Sequence, residues 1–256
     1  MRAAEKFPDG LLERAAELGA VTDRSVRVWL RQPGASVGEG TLTIERRELV
    51  RARVELDAER DWTAALDLTL DAPAPGATFQ VEVAGEVRAG RLTPSPGERV
   101  GLTFGFGSCN RPFELIDGAI RYHDAAGIYD AFRADMERAR ASLLLLIGDQ
   151  LYSDALEPVS VRAGYLSDPD WLPSIEETVR AYREITRGYF NVPGFRRLRE
   201  RFPTLAIWDD HDIFDNWGSR KEVSALDRRM FEAAARVYAE YQGSRNPGPL
   251  RDAPPF

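Results

Sequence analysis

The chain has 256 residues, 43% of them hydrophobic and 29% charged, the balance of a globular protein with room for one large core or two ordinary ones. Its net charge of -7, with no lysine- or arginine-rich block, excludes a broad nucleic-acid surface and leaves room for a local cationic pocket for one phosphate. A single cysteine rules out an intrachain disulfide, the longest aliphatic run, Leu143 to Ile147, is too short to span a bilayer, and Met1 to Gly10 carry no apolar export signal, so a cytoplasmic location is expected.

In chain order, Asp9 to Leu18 read as a short helix, with Leu11, Leu12, Ala15, Ala16 and Leu18 as its apolar stripe and Gly19 as its cap. From there to about Glu98 the period becomes two. Apolar residues alternate at Val26, Val28 and Leu30, at Leu42 and Ile44, from Val50 to Leu56, from Ala64 to Leu70, and at Phe79, Val81 and Val83. Turn formers such as Gln32-Pro33-Gly34 and Ala84-Gly85 separate them. Short alternating strands at near-regular spacing predict an antiparallel sandwich of immunoglobulin or fibronectin type. Pro94-Ser95-Pro96-Gly97 closes it.

Beyond that stretch the rhythm is strand, helix, strand. Strands are predicted at Leu102 to Gly107, Leu143 to Ile147 and Thr204 to Trp208, and helices at Ala125 to Ala141, Ile175 to Tyr189, Phe195 to Arg201 and Val223 to Tyr241. Continuous apolar strands between amphipathic helices predict a parallel sheet covered by helices on both faces. The expected domains are therefore residues 1–98, a helix plus β-sandwich, and 99–256, an α/β domain.

Each of the three apolar strands runs directly into a chemically rich cluster: Cys109-Asn110, Gly148-Asp149-Gln150-Leu151-Tyr152 and Asp209-Asp210-His211-Asp212. Loops beyond the carboxyl ends of parallel strands converge on one crevice, where ligands bind. Oxygen donors, a thiolate and an imidazole delivered together there suit a metal pair. Gly148 lets the chain turn so that Asp149 faces the crevice, although an Asp in that place also caps loops. Tyr152 offers a phenolate to a hard trivalent ion or simply packs. Cys109 lies on a glycine-rich turn rather than inside the strand, where cations or backbone N–H groups can hold a thiolate. Four polar side chains side by side at 209–212 repel one another unless cations or solvent relieve them. Asn216 adds an amide oxygen. Asn110 stands where a dinucleotide fingerprint would need its third glycine, so a Rossmann cofactor site is not expected.

Phe106-Gly107-Ser108-Cys109-Asn110, Gly148-Asp149-Gln150-Leu151-Tyr152 and Ile207-Trp208-Asp209-Asp210-His211-Asp212, with Asn216, resemble the PhoD-like alkaline phosphatase family of calcineurin-like metallophosphoesterases. The strand-rich N-terminal part resembles that family's N-terminal domain. The resemblance implies an iron and calcium site, with zinc or manganese as alternatives. Cys109, Asp149 and Tyr152 would hold the iron, Asp149 would bridge to calcium, and Asp210 and Asn216 would be further ligands. It implies hydrolysis of a phosphomonoester or phosphodiester by a metal-activated hydroxide. His211, beside the metals and not ligated, would stabilise the transition state or protonate the leaving alkoxide. It leaves secretion open.

In that family further His- and Asp-bearing loops follow the Asp-Asp-His-Asp cluster. The chain is accordingly expected to be a C-terminally truncated frame with weak metal retention and little turnover. Two other readings stand beside this one: a non-catalytic module holding a cation or phosphate, and a thiol hydrolase with Cys109 as nucleophile and His211 as base. The second leaves Asp149 and the acids of 209–212 unexplained.

Overall fold

A computed structural model describes residues 7–123, 127–155, 160, 172–219 and 223–248. Seven strands come first: β1 (Ala15–Val21), β2 (Ser25–Arg31), β3 (Val37–Ile44), β4 (Arg47–Glu55), β5 (Thr63–Thr69), β6 (Thr78–Val83) and β7 (Glu86–Arg91). They form two antiparallel sheets, one in the order β1-β2-β5 and one in the order β4-β3-β6-β7. Alternation sets the inward faces, as period-two patterning dictates. Val28 pairs with Leu66, and Leu42 with Val50 and Val81. Their side chains join Val26, Leu30, Leu68, Phe79 and Val83 in one core between the sheets.

The helix expected at Asp9 to Leu18 does not form, because Ala15–Val21 is β1, paired with β2. The physical reason is burial on both faces. Ala16 and Leu18 point into the core between the sheets, while Ala15 points the other way, into a second core with Phe7, Leu12 and Trp29. Glu17, on the Ala15 side, is also fully buried. A strand covered on both sides loses its alternation, and its apolar residues then imitate a helical stripe. β2 behaves likewise: Val26, Val28 and Leu30 face one core, and Trp29 and Arg31 are buried on the other side.

The second half contains β8 (Phe104–Gly107), the hairpin β9 (Phe113–Ile116) and β10 (Ala119–Tyr122), α1 (Ile128–Arg138), β11 (Leu143–Ile147), α2 (Ile175–Phe190), α3 (Pro193–Arg201), β12 (Thr204–Ile207) and α4 (Ala225–Tyr241). The expected helices and apolar strands are present with small shifts in their ends; residues 125 and 126, the expected start of α1, lie outside the described residues. Ser174 with Glu177, and Ser224 with Asp227, form capping boxes that start α2 and α4. The hairpin was not expected, although its turn, Asp117-Gly118, has the positive φ values of 50° and 72° that suit a two-residue hairpin loop.

β8, β11 and β12 form a parallel sheet with β11 in the middle. One face packs inward through Gly105, Leu144, Leu146, Thr204 and Ala206. Gly105 is required there: a Cβ would lie 2.5 Å from Met136 Sδ and 2.9 Å from Phe132 Cζ of α1. The expectation of helices on both faces fails for the described residues, since Phe104, Phe106, Ile147 and Ile207 on the opposite face are exposed. A continuous apolar run predicts double burial, and here the pattern outruns the cover that these residues supply. Among the described residues no helix is long and apolar enough to cross a membrane.

The sheet β1-β2-β5 thus has the four-stranded sheet on one side and the helices on the other. Its helix-side contacts are polar and specific. Trp29 Nε1 donates to Glu240 O at 2.7 Å, Arg31 is paired with Asp61, and Glu17 is held by Arg199 and Arg245.

Candidate active site

The three loops that leave the carboxyl ends of β8, β11 and β12 are laced to one another. Cys109 N donates to Gly148 O at 3.3 Å and Asn110 N to Asp149 O at 2.8 Å, while Asn110 Nδ2 reaches Gln150 O at 3.1 Å. His211 N donates to Asp149 Oδ1 at 3.3 Å, and Ser153 N to His211 O at 3.2 Å. Side chains from positions far apart in sequence are brought within a few ångströms by these bonds.

Three residues reach this arrangement in a left-handed backbone conformation that non-glycine residues seldom adopt: Cys109 at φ 55°, Asp149 at φ 54° and Asn216 at φ 63°. Gly148, at φ 99°, makes the turn before Asp149, and a Cβ on it would lie 2.7 Å from Asp209 Cβ. Glycine is needed there for conformation and for clearance.

Asp149, Asp210 and His211 each offer one ligand atom, and these atoms all lie within 4.8 Å of one another. Asp149 is buried, and Asp210 and His211 are half-buried. Cys109 Sγ donates to Asp149 Oδ2 at 3.5 Å, so the thiol is at the same carboxylate. Tyr152 stacks on the His211 imidazole with ring centroids 4.2 Å apart. Burial, followed by the charge of Asp149, raises the Tyr152 phenol above its ordinary value. Asn216 stands at the edge. Its backbone N–H donates to Asp210 Oδ2 at 2.6 Å, and its amide Nδ2 donates to Asp215.

The thiol–imidazole pair of a thiol hydrolase is not formed, because Cys109 bonds Asp149 while His211 Nδ1 lies 3.2 Å from Asp154 Oδ1. Asp154 is itself held by the Asp215 N–H at 2.9 Å. The Asp154 contact orients the ring through Nδ1, and Nε2 faces Asp215, whose Oδ1 is 3.6 Å away.

Asp212 plays a different part from the acids beside it. Its buried carboxylate accepts from Gln150 N at 3.3 Å, Asp209 N at 3.0 Å and Gln242 Nε2 at 3.1 Å, tying the β11 loop, the β12 loop and the end of α4 together. Burial pushes its carboxyl up to about 7 despite those three donors, and Asp149 adds to the rise. Sequence marks Asp212 only as one acid of the 209–212 cluster, without its structural role, and gives no sign of Asp154 or of Arg111, whose guanidinium lies 5.6 Å from the Tyr152 ring centroid. Asp154 follows Tyr152 by two residues, but its partner His211 is 57 residues away and no local pattern links them.

A family model described as PhoD-like phosphatase matches residues 105–253, more than half of the chain. Among solved structures, one described as PhoD matches with a TM-score of 0.63 and 18% identity, covering 93% of this chain and 46% of its own. Purple acid phosphatase PPD1 from yellow lupin (Lupinus luteus) seeds matches with a TM-score of 0.55 and 8% identity, covering 90% of this chain and 40% of its own. At those identities the two similarities are of fold. The chain spans less than half the length of either structure. Comparison with curated proteins finds no match.

Proposed function

The chain belongs to the PhoD-like phosphatase family, and from that premise we propose that it hydrolyses phosphate monoesters or diesters at the crevice beyond β8, β11 and β12, with bound cations. The observation that carries the reading is that Asp149 and Asp210 bring carboxylate oxygens within 4.8 Å of each other, with a His211 ring nitrogen as near to both and Cys109 Sγ 3.5 Å from Asp149. The donor set fits such ions: a carboxylate in Asp149, a thiolate source in Cys109, a phenol in Tyr152 and a second carboxylate in Asp210. Cys109, Asp149 and Tyr152 would hold iron, and Asp149 with Asp210 and Asn216 would hold calcium. When bound, the cations supply Lewis acidity toward the phosphoryl oxygens and water.

The protein's own residues do the rest. Asp154 fixes the His211 ring through Nδ1, so that when the ring is protonated on both nitrogens the proton on Nε2 is the one given to the leaving alkoxide. Stacking on Tyr152 keeps that ring from turning. Asp212 holds the β11 and β12 loops at a fixed separation. We also read residues 1–98 as an immunoglobulin- or fibronectin-like sandwich and 99–256 as the catalytic α/β part.

Elemental analysis of the purified chain, with Asp149→Ala and Cys109→Ala beside it, tests the proposal. Metal held at low occupancy in the wild type, lost in both variants together with its slow hydrolysis of p-nitrophenyl phosphate and its bis ester, is the expected result. Hydrolysis that survives Asp149→Ala would overturn it.

A further inference from the structure

Next to the candidate active site is a cavity of about 510 Å³, within the range of small-molecule pockets. Its apolar walls are Gly107 and Leu146 of the parallel sheet, Ile128 and Phe132 of α1, and Phe195 and Leu198 of α3. Its polar lining comes from the loops of the site itself, including Cys109, Asn110 and Arg111. Cys109 therefore touches both compartments, with its sulfur at the Asp149 carboxylate.

Three features make this more than a packing gap. Gly107 is an ordinary strand residue on the cavity wall, and a Cβ on it would meet nothing within 4 Å, so the space is open right down to the sheet. Ile128, at the rim of the cavity, is 63% exposed, which leaves apolar surface open beside the acidic cluster. Arg111 is exposed, stands over Tyr152 and has no ion pair among the described residues. The other charged residue of the lining, Asp135, is neutralised by Arg138 at 2.7 Å.

We propose that this cavity binds the apolar, aromatic-sized alcohol part of a phosphate ester, with the phosphate drawn to Arg111 at the border of the Asp149 cluster. The site then favours aryl and other bulky hydrophobic esters over small polar ones. This rests on the phosphoesterase reading above. A guanidinium suits a phosphate because its forked donors match the oxygens, and its position on the Tyr152 ring limits the conformations it must give up. The apolar walls would shed water onto an aryl group that a methyl group could not reach.

Binding of two non-hydrolysable probes, 1-naphthylphosphonate and methylphosphonate, measured by calorimetry on the full metal-supplied chain, tests the proposal. The naphthyl probe should bind about tenfold tighter or better. Gly107→Val and Ala131→Leu narrow the cavity from the sheet side and from an exposed position on α1, where neither should disturb folding. Each should bring the two affinities together, leaving the methylphosphonate affinity, the metal content and the thermal midpoint unchanged. Arg111→Gln should weaken both probes about fivefold and keep their ratio. Equal affinities in the wild type, no measurable binding of either probe, or a naphthyl preference that survives both narrowing variants would overturn the subsite. A preference seen without ester hydrolysis would support the subsite and remove the phosphoesterase reading. Metal-dependent hydrolysis without the preference would do the reverse.

Discussion

Replacing Glu17 with glutamine removes the negative charge between two buried guanidiniums and keeps the shape of the side chain. Glu17 is fully buried in β1. It accepts from Arg199 Nε at 3.1 Å and Nη2 at 3.0 Å and from Arg245 Nη1. Arg199 lies over Phe190 and Phe195, and Arg245 over Trp29, so neither cation has water to fall back on. Burial alone would raise the Glu17 carboxyl; the two arginines outweigh it and lower the group from 4.5 to about 2. A folded-state value below the unfolded one stabilises the fold above pH 4.5, and that contribution fades as pH falls toward 2. The shift corresponds to about 3 kcal/mol at neutral pH, of which about 2 kcal/mol is gone by pH 3. Glu17→Gln should cost about 3–5 kcal/mol, because it leaves both cations buried and uncompensated. Urea denaturation at pH 7 and pH 3, followed by circular dichroism and tryptophan fluorescence, measures both quantities. The variant should be much weaker at pH 7 and should lack the acid-sensitive step attributed to Glu17. A loss below about 1 kcal/mol at pH 7, or an acid slope equal to that of the wild type, would refute this account of the triad.

Asp154→Asn should lower ester hydrolysis by about 100-fold with metal content unchanged, since it disturbs the proton position on His211 rather than a ligand; a parallel loss of metal would place Asp154 in the metal site instead. Ser174→Ala should cost about 1 kcal/mol in urea denaturation by removing the cap of α2. Gly105→Val should cost about 1–3 kcal/mol by the same assay, because its Cβ would press on Met136 and Phe132. Wild-type stability in that variant would mean that α1 can move away from β8.

How much of this was legible from sequence depended on how many faces each element buries. β2 to β6 could be read from alternation. β1 could not, because Ala15 and Glu17 serve one core and Ala16 and Leu18 another. The β9–β10 hairpin has a usable signal in Asp117-Gly118, but the apolar stretches that flank it are too short to stand out as strands. Asp149, Asp210 and His211 could be picked out because each follows an apolar strand, and parallel strands deliver their loops to one edge. Asp154 and Asp212 act on partners 57 and 62 residues away, and no local spacing encodes such a bond. Arg111 was indistinguishable from the many arginines on solvated faces.

The β1-β2-β5 sheet, with a core on each side, also shapes how the protein can come apart. Detaching β1 or β2 would expose Leu18 and Val28 on one side and Ala15 and Trp29 on the other, so neither strand can fray without dissolving both cores. Partial openings of lower free energy must start elsewhere, at β4 and β7, the outer strands of the four-stranded sheet. Native-state hydrogen exchange would then report β1 and β2 as a single slow-exchanging unit spanning both halves of the molecule.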